Sequence, residues 1–314
     1  MAGPASGYPD LPQSARAVGA ALGMRTATAW PASRGDLDTI DIKPDSTMQP
    51  DRTELDADAM ASVLLPGLPI DLIRACYAAA PGNEIASGKF ASPESSAALA
   101  ANTFGRFLVR PATLPPVPGG EAWGWPASSV HLEAVVRFPW TGGRHPCLDA
   151  LIETRAALVG VESKRYEPFR TKPPVSLSNA YWRPVWGGAM TGYERVRDSL
   201  REATSPFARL DAAQLVKHAF GLRTAVHREQ RFVGKQPVLL YLYTEPERWP
   251  DGRPVPSAEI DAHRAEIRDF AEVVTGDEVA FHACSYRELL SAWSGGSNDV
   301  VRAHAAAITA RFGV

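Results

Sequence analysis

Three residues in the stretch CLDALIETRAALVGVESKRYEPF, residues 147–169, have the types and spacing to do chemistry: Asp149, Glu162 and Lys164. Two carboxylates brought close together repel each other unless a cation lies between them or one is protonated. Hard oxygen ligands with coordination positions left to water and phosphate suit Mg²⁺, or equally Mn²⁺. Such an ion neutralises phosphate charge and lowers the pKa of bound water, and a nearby ammonium can orient that water or stabilise a charged transition state. The set answers the needs of phosphodiester hydrolysis. A plain salt bridge across a hairpin is the bland alternative for the same three residues.

The elements around them must bring these groups together. CLDALIET (147–154) and ALVGVESKRY (157–166) read as strands joined by a tight turn near Arg155, and SVHLEAVVRF (129–138) reads as a third antiparallel neighbour. Alternate strand residues share a face, which groups Asp149 with Cys147, Leu151 and Glu153, and Glu162 with Lys164 and Tyr166. Upstream, VLLPGLPIDLIRACYAAA suggests a short helix and SSAALAANTFGRFL (95–108) a clearer one with serine N-cap chemistry. Downstream, helices are expected over 191–203, 210–230 and 257–274. QPVLLYLYTEP (236–246) is a nearly all-apolar run and hence a buried strand, and VAFHACSY (279–286) is a further strand leading into RELLSAW and a closing helix. This order predicts one α/β domain with a mixed sheet over residues 61–314. Residues 1–60, rich in Ala, Gly, Pro, Ser and Asp, read as a disordered tail.

Asp149 followed by Glu162-Ser163-Lys164, in the order helix, three strands, helix, strand, resembles the PD-(D/E)xK, restriction-endonuclease-like nuclease superfamily. The Pro-Asp pair of that superfamily appears here as Pro146-Cys147-Leu148-Asp149, so only the acid matches. HLEAVVRFPWTGGRHPCLDALIETRAALVGVESKRYEPF and SGKFASPESSAALAANTFGRF are similar to an uncharacterised bacterial group within it, and the resemblance covers roughly residues 84–293. It implies a restriction-endonuclease-like mixed β-sheet core flanked by helices, with additional C-terminal strands and helices. It also implies a metal-dependent nuclease with Asp149 and Glu162 on the metal and Lys164 at the reacting water. Gln214 and Lys217 in LDAAQLVKHAFGL resemble the polar positions of the superfamily's post-core helix. Members that bind without cutting exist, so an inactive nucleic-acid or protein-binding domain on the same fold is the first alternative, and a hydrolase of small phosphate esters the second.

Other candidates have narrower readings. Glu133 is a further metal ligand, a support for Lys164, or a solvent-facing strand acid; Glu84 reads as a loop residue and Glu153 as a strand-end acid. Cys147 and His145 lack the fold-separated geometry that activates a thiol. The seven histidines show no HxH or HExxH spacing for zinc. Three widely spaced cysteines fit a reducing, cytoplasmic setting.

Net charge is only −2, which by itself gives no signature of a nucleic-acid binder. Residues 160–235 nonetheless hold 14 Lys/Arg against 7 Asp/Glu, an excess masked in the total by the acidic first 60 residues. Arg165, Arg183 and Arg195 in this basic half are the candidate nucleic-acid contacts, with DNA the expected nucleic acid. YWRPVWGG (181–188) offers Trp182 and Trp186 either as faces for base stacking or as packing for a loop. No apolar stretch is long enough to span a bilayer, and the N-terminus lacks the basic start and apolar core of a secretion signal.

Overall fold

Five strands, of which the third and fourth are apolar runs almost wholly buried, assemble into one mixed sheet. In the computed structural model, residues 60–170 and 177–314 are described, and they lie in a unit running from Met48 to Val314. The tail expected over 1–60 falls outside them except for Met60, which is buried at the head of a helical turn. The strands are β1 (Ser129–Val135), β2 (Cys147–Glu153), β3 (Ala157–Lys164), β4 (Gln236–Tyr243) and β5 (Ala280–Ser285), in the spatial order β1-β2-β3-β4-β5. β1, β2 and β3 pair antiparallel through short connections, whereas β3–β4 and β4–β5 are parallel. Parallel neighbours need crossovers. These are supplied by α3 (Thr191–Arg201) and α4 (Ala212–Arg228) between β3 and β4, and by α5 (Ser257–Val273) between β4 and β5.

Each face of the sheet is covered by helices. On one face Ala150, Ile152, Val159, Val161, Leu240 and Leu242 pack with residues of α1 (Ile70–Ala79), α2 (Ser96–Phe104), α6 (Tyr286–Ser294) and α7 (Asp299–Phe312). On the other, Leu158, Leu239 and Tyr241 pack with residues of α3, α4 and α5. β3 lies between two strands and two helical layers, and all eight of its residues are buried. A fully covered strand is expected to be apolar throughout. Glu162 and Lys164 break that rule.

Two local features aim the acids. Gly160 on β3 lets α4 come close, because a Cβ there would stand 2.8 Å from Leu148 Cδ1 and 2.9 Å from Leu222 Cδ1. On β1, Glu133 has φ of 48° and is skipped in the pairing between Leu132↔Ala150 and Ala134↔Leu148, while the register is the same on both sides of it. A non-glycine residue held in that left-handed region costs roughly 1–3 kcal/mol and tends to occur where function requires it. Opposite it, Leu148 and Leu151 both join the α4 layer although three residues apart, while Ala150 and Ile152 join the other layer. The strict alternation expected for β2 is therefore broken between Leu148 and Ala150, at Asp149.

Candidate active site

Glu162 and Lys164 share the α4 side of β3, two residues apart, and form an ion pair with Nζ 2.5 Å from Oε1. Glu162 is 1% exposed and Lys164 8%. α4 supplies a second partner to each. The Gln214 carbonyl oxygen accepts from Lys164 Nζ at 2.7 Å, and His218 Nε2 stands 2.7 Å from Glu162 Oε2. Gln214 and His218 are one helical turn apart and so project from the same face. α4 begins at Asp211, whose side chain accepts the Gln214 N–H as an N-cap, and this anchors the turn that carries Gln214.

Asp149 reaches the same place from β2. Its carboxylate accepts the backbone N–H of Ser163 at 2.7 Å. The Ser163 hydroxyl in turn lies 2.7 Å from the Tyr286 hydroxyl at the start of α6, which ties this point of β3 to the opposite layer. Asp149, Glu162, Ser163, Lys164, Gln214, Glu133, Cys147 and Glu84 all line one cavity of about 640 Å³. Its mouth carries Lys89 and Arg170, and the first turn of α2 contributes Ser96 and Ala97.

The electrostatics of this cavity are unbalanced. Burial, then the charges of Glu162 and Glu133, push the Asp149 carboxyl well above the usual carboxylate range. Burial likewise carries Glu133 up to about 7. Burial also opposes the ionised form of Glu162, but Lys164 and His218 outweigh it and hold this carboxyl down to about 2. Lys164 is raised against the effect of burial by Glu162, Glu167 and Asp149. One ammonium thus serves three carboxylates, Asp149, Glu133 and Glu162, and the cavity as a whole is short of positive charge, the condition a hard divalent cation relieves. Among the described residues no three His, Cys, Asp or Glu side chains gather closely enough to hold a metal. The fit is thus to an ion taking one or two carboxylates and otherwise water or substrate, which Mg²⁺ accepts.

The structure brings together Asp149, Glu162, Lys164 and Gln214, with Glu133 lining the same cavity. Glu133 is engaged by the Cys147 thiol, 3.3 Å away, rather than by Lys164. Lys217 is not part of the cavity lining; His218, one residue further along α4, takes the place beside Glu162. Its spacing of four from Gln214 was the available signal. Arg165 is buried, with its guanidinium donating to Pro93 O and to Phe312 O at 2.7 Å. As the residue after Lys164 it points to the opposite side, so it braces the α2 and α7 layer and offers nothing to a ligand. Arg183 is exposed, over the Trp140 ring. Arg195 is exposed too, but it donates to Val273 O, and Val273 ends the helix that precedes β5, at the far end of the sheet from Lys164.

The remaining expectations resolve as packing. Trp186 is buried and stacked on Phe220, and Trp182 donates to Asp198 between Arg197 and Arg201. Burial and the neighbouring acids push the Cys147 thiol up, away from the thiolate, and His145 is occupied by the Phe138 N–H. Glu153 pairs with Lys235. A larger depression of about 990 Å³ lies at the other end of the sheet, lined by Trp123, Ala156, Val226, Val233 and Pro237. Its charged groups are paired, Lys235 with Glu153 and Glu278 with Arg223 and His227, whereas the smaller cavity, where Lys164 pairs with Glu162 and Arg170 with Glu94, keeps Asp149 without an ion-pair partner among the described residues.

A five-stranded mixed sheet flanked by helices is consistent with a restriction-endonuclease-like α/β fold. The chain belongs to the family described as restriction endonuclease associating with ARP, whose model matches residues 77–311. No curated protein and no solved structure matches the chain. No helix among the described residues is long and apolar enough to cross a membrane.

Proposed function

We propose that this chain is a metal-dependent nuclease that hydrolyses phosphodiester bonds of nucleic acid, with DNA as the substrate. The observation that carries the reading is the buried Glu162–Lys164 pair beside Asp149 in an acid-rich cavity. Burying two charges costs several kcal/mol each even after relaxation, about what a surface salt bridge never has to recover. Stability alone gives no reason to keep them there.

In this reading Asp149 and Glu162 hold Mg²⁺ or Mn²⁺. The bound ion would supply charge neutralisation at the phosphate and a more acidic water. Asp149 is oriented by the Ser163 N–H and Glu162 by its two donors, and each carboxylate oxygen keeps a lone pair beyond the one so engaged. Lys164, steadied by Gln214, offers its ammonium to the attacking water or to the developing charge at phosphorus. Lys89 and Arg170 at the mouth, with Arg183, are the groups proposed to meet the phosphate backbone. Free cysteines accord with a cytoplasmic location, and the family's description adds ARP as a partner.

A non-catalytic binding domain is the second reading, favoured by the hold of Lys164 and His218 on both oxygens of Glu162. Purified protein incubated with plasmid and linear DNA, with chelator, Mg²⁺ or Mn²⁺, separates the two. Cleavage only with the divalent ion supports the nuclease. Tight binding without cleavage under all conditions supports the alternative.

A further inference from the structure

We infer that His218 is a positioning residue for Glu162, keeping that carboxylate in place while Lys164 moves to the reacting phosphate; the inference rests on the nuclease reading. Lys164 and His218 grip different oxygens of Glu162, at 2.5 Å and 2.7 Å. The two grips differ in stiffness. Lys164 holds through a flexible four-carbon stem, and the reaction requires its ammonium to serve water or phosphate. A Glu162 ordered by Lys164 alone would lose its partner at the moment its position matters.

His218 has no such second duty. Its ring is 2% exposed, it turns on only two side-chain torsions, and it is seated within the 17-residue helix α4. Neither ring nitrogen makes a well-angled hydrogen bond among the described residues, and the close polar contact of the ring is the 2.7 Å approach of Nε2 to Glu162 Oε2, from which we assign the ring hydrogen to Nε2. The distance is set by packing. Gly160, two residues before Glu162, admits α4 to the strand at Leu222, one turn beyond His218. Gln214 performs the matching task for Lys164 from the turn before. Helix α4 thus holds acid and ammonium separately, and the two can part without Glu162 losing its orientation. Outer partners of this kind typically change metal affinity or activity by roughly 10–100-fold when removed.

The test uses the full chain with His218→Ala and His218→Gln, the latter retaining an N–H donor at similar reach. Three readouts are taken: Mn²⁺ affinity by calorimetry, kcat and KM on linear DNA, and the ¹⁵N-detected ring state of His218 in metal-free protein. Expected are an Nε2-bound, slowly exchanging proton that is lost in Glu162→Ala, and a fall in Mn²⁺ affinity and kcat of roughly 10–100-fold in His218→Ala with little change in KM. His218→Gln recovers most of both. Wild-type values in His218→Ala, or a His218→Gln no better than His218→Ala, overturn the inference. A disordered imidazole in a protein that does cut overturns the positioning role alone. A wild-type chain that neither binds Mn²⁺ nor cuts overturns the nuclease reading, and the positioning role falls with it.

Discussion

The Asp149 carboxylate accepts the backbone N–H of Ser163 at 2.7 Å, just beyond the last Cα pair of the β2–β3 ladder, Ala150 with Val161. A side chain thereby completes the edge of the ladder where the main chain of β2 has turned away. The same contact places the acid beside Glu162 without giving it a counter-charge.

Asparagine and alanine at position 149 should consequently behave differently. Asp149→Asn keeps an oxygen for the Ser163 N–H and removes the repulsion from Glu162 and Glu133, so metal-free protein should be at least as stable as wild type. Asp149→Ala leaves a buried N–H without a partner, at a cost of about 1–3 kcal/mol. Both should lose divalent-ion affinity. Thermal denaturation in chelator beside calorimetric titration checks this; an Asn variant as unstable as the Ala variant would remove the hydrogen bond from the account.

Lys164→Met separates charge from stem. Removing one partner of a buried ion pair typically costs about 3–5 kcal/mol, because the other charge is left behind. Glu162 retains His218, so the lower end of that range is expected. Metal affinity should persist or rise once a positive charge is gone from the cavity, while turnover falls by roughly a hundredfold or more, the scale of one lost electrostatic contact to a transition state. Cleavage at the wild-type rate by a folded Lys164→Met protein would show that the ammonium has no part in the chemistry.

Much of this was legible in the sequence, and the misses have physical causes. The strands were readable because β3 and β4 are apolar runs bounded by turns, and i, i+2 spacing puts Glu162 and Lys164 on one side without further information. Arg165 could have been excluded by the same parity, since a neighbour of Lys164 must face the other layer. For His218 the spacing of four from Gln214 was the one available signal, and it was not sufficient alone because which face of α4 meets β3 depends on close packing at Gly160. The broken alternation at Asp149 was not readable, since the left-handed residue that accompanies it is Glu133 rather than a glycine or asparagine that would have marked it.

Charge at the cavity mouth gives a binding prediction with an internal control. Lys89 and Arg170 line the cavity, whereas Arg195 lies toward the far end of the sheet. Lys89→Glu and Arg170→Glu should each weaken binding across sequences and flatten the salt dependence by about one phosphate contact, roughly 0.9 in the logarithmic slope. Arg195→Glu should change neither affinity nor slope. Fluorescence anisotropy with short duplexes over a range of salt concentrations measures all three, and equal effects from Arg170 and Arg195 would move the binding surface elsewhere.

Glu133 links the cavity to pH. Burial raises its folded-state carboxyl to about 7, against about 4.3 for an ordinary glutamate in the unfolded chain. Between those values Glu133 is the more protonated in the folded protein, so its contribution to stability must fall as pH rises through that window, and the raised Asp149 acts in the same direction. Glu162 is displaced the other way, and its contribution is lost only in acid, below the ordinary glutamate value and toward about 2. In a melting series in chelator from about pH 5 to about pH 7.5 Glu162 does not titrate, while burial holds His304, His131 and His145 below the ordinary imidazole value and gives them the opposite slope, so the comparison of wild type with Glu133→Gln is what isolates the raised acid. Wild type should lose melting temperature relative to Glu133→Gln as pH rises over the series. The glutamine variant, which can still accept from the Cys147 thiol, should therefore have the more positive slope of melting temperature against pH. Divalent ion should restore the wild type most at the alkaline end, where the acids are ionised and their repulsion is largest. Parallel slopes for wild type and Glu133→Gln would mean that Glu133 titrates alike in the folded and unfolded chain, and the charge imbalance in the cavity would then rest on Asp149 alone.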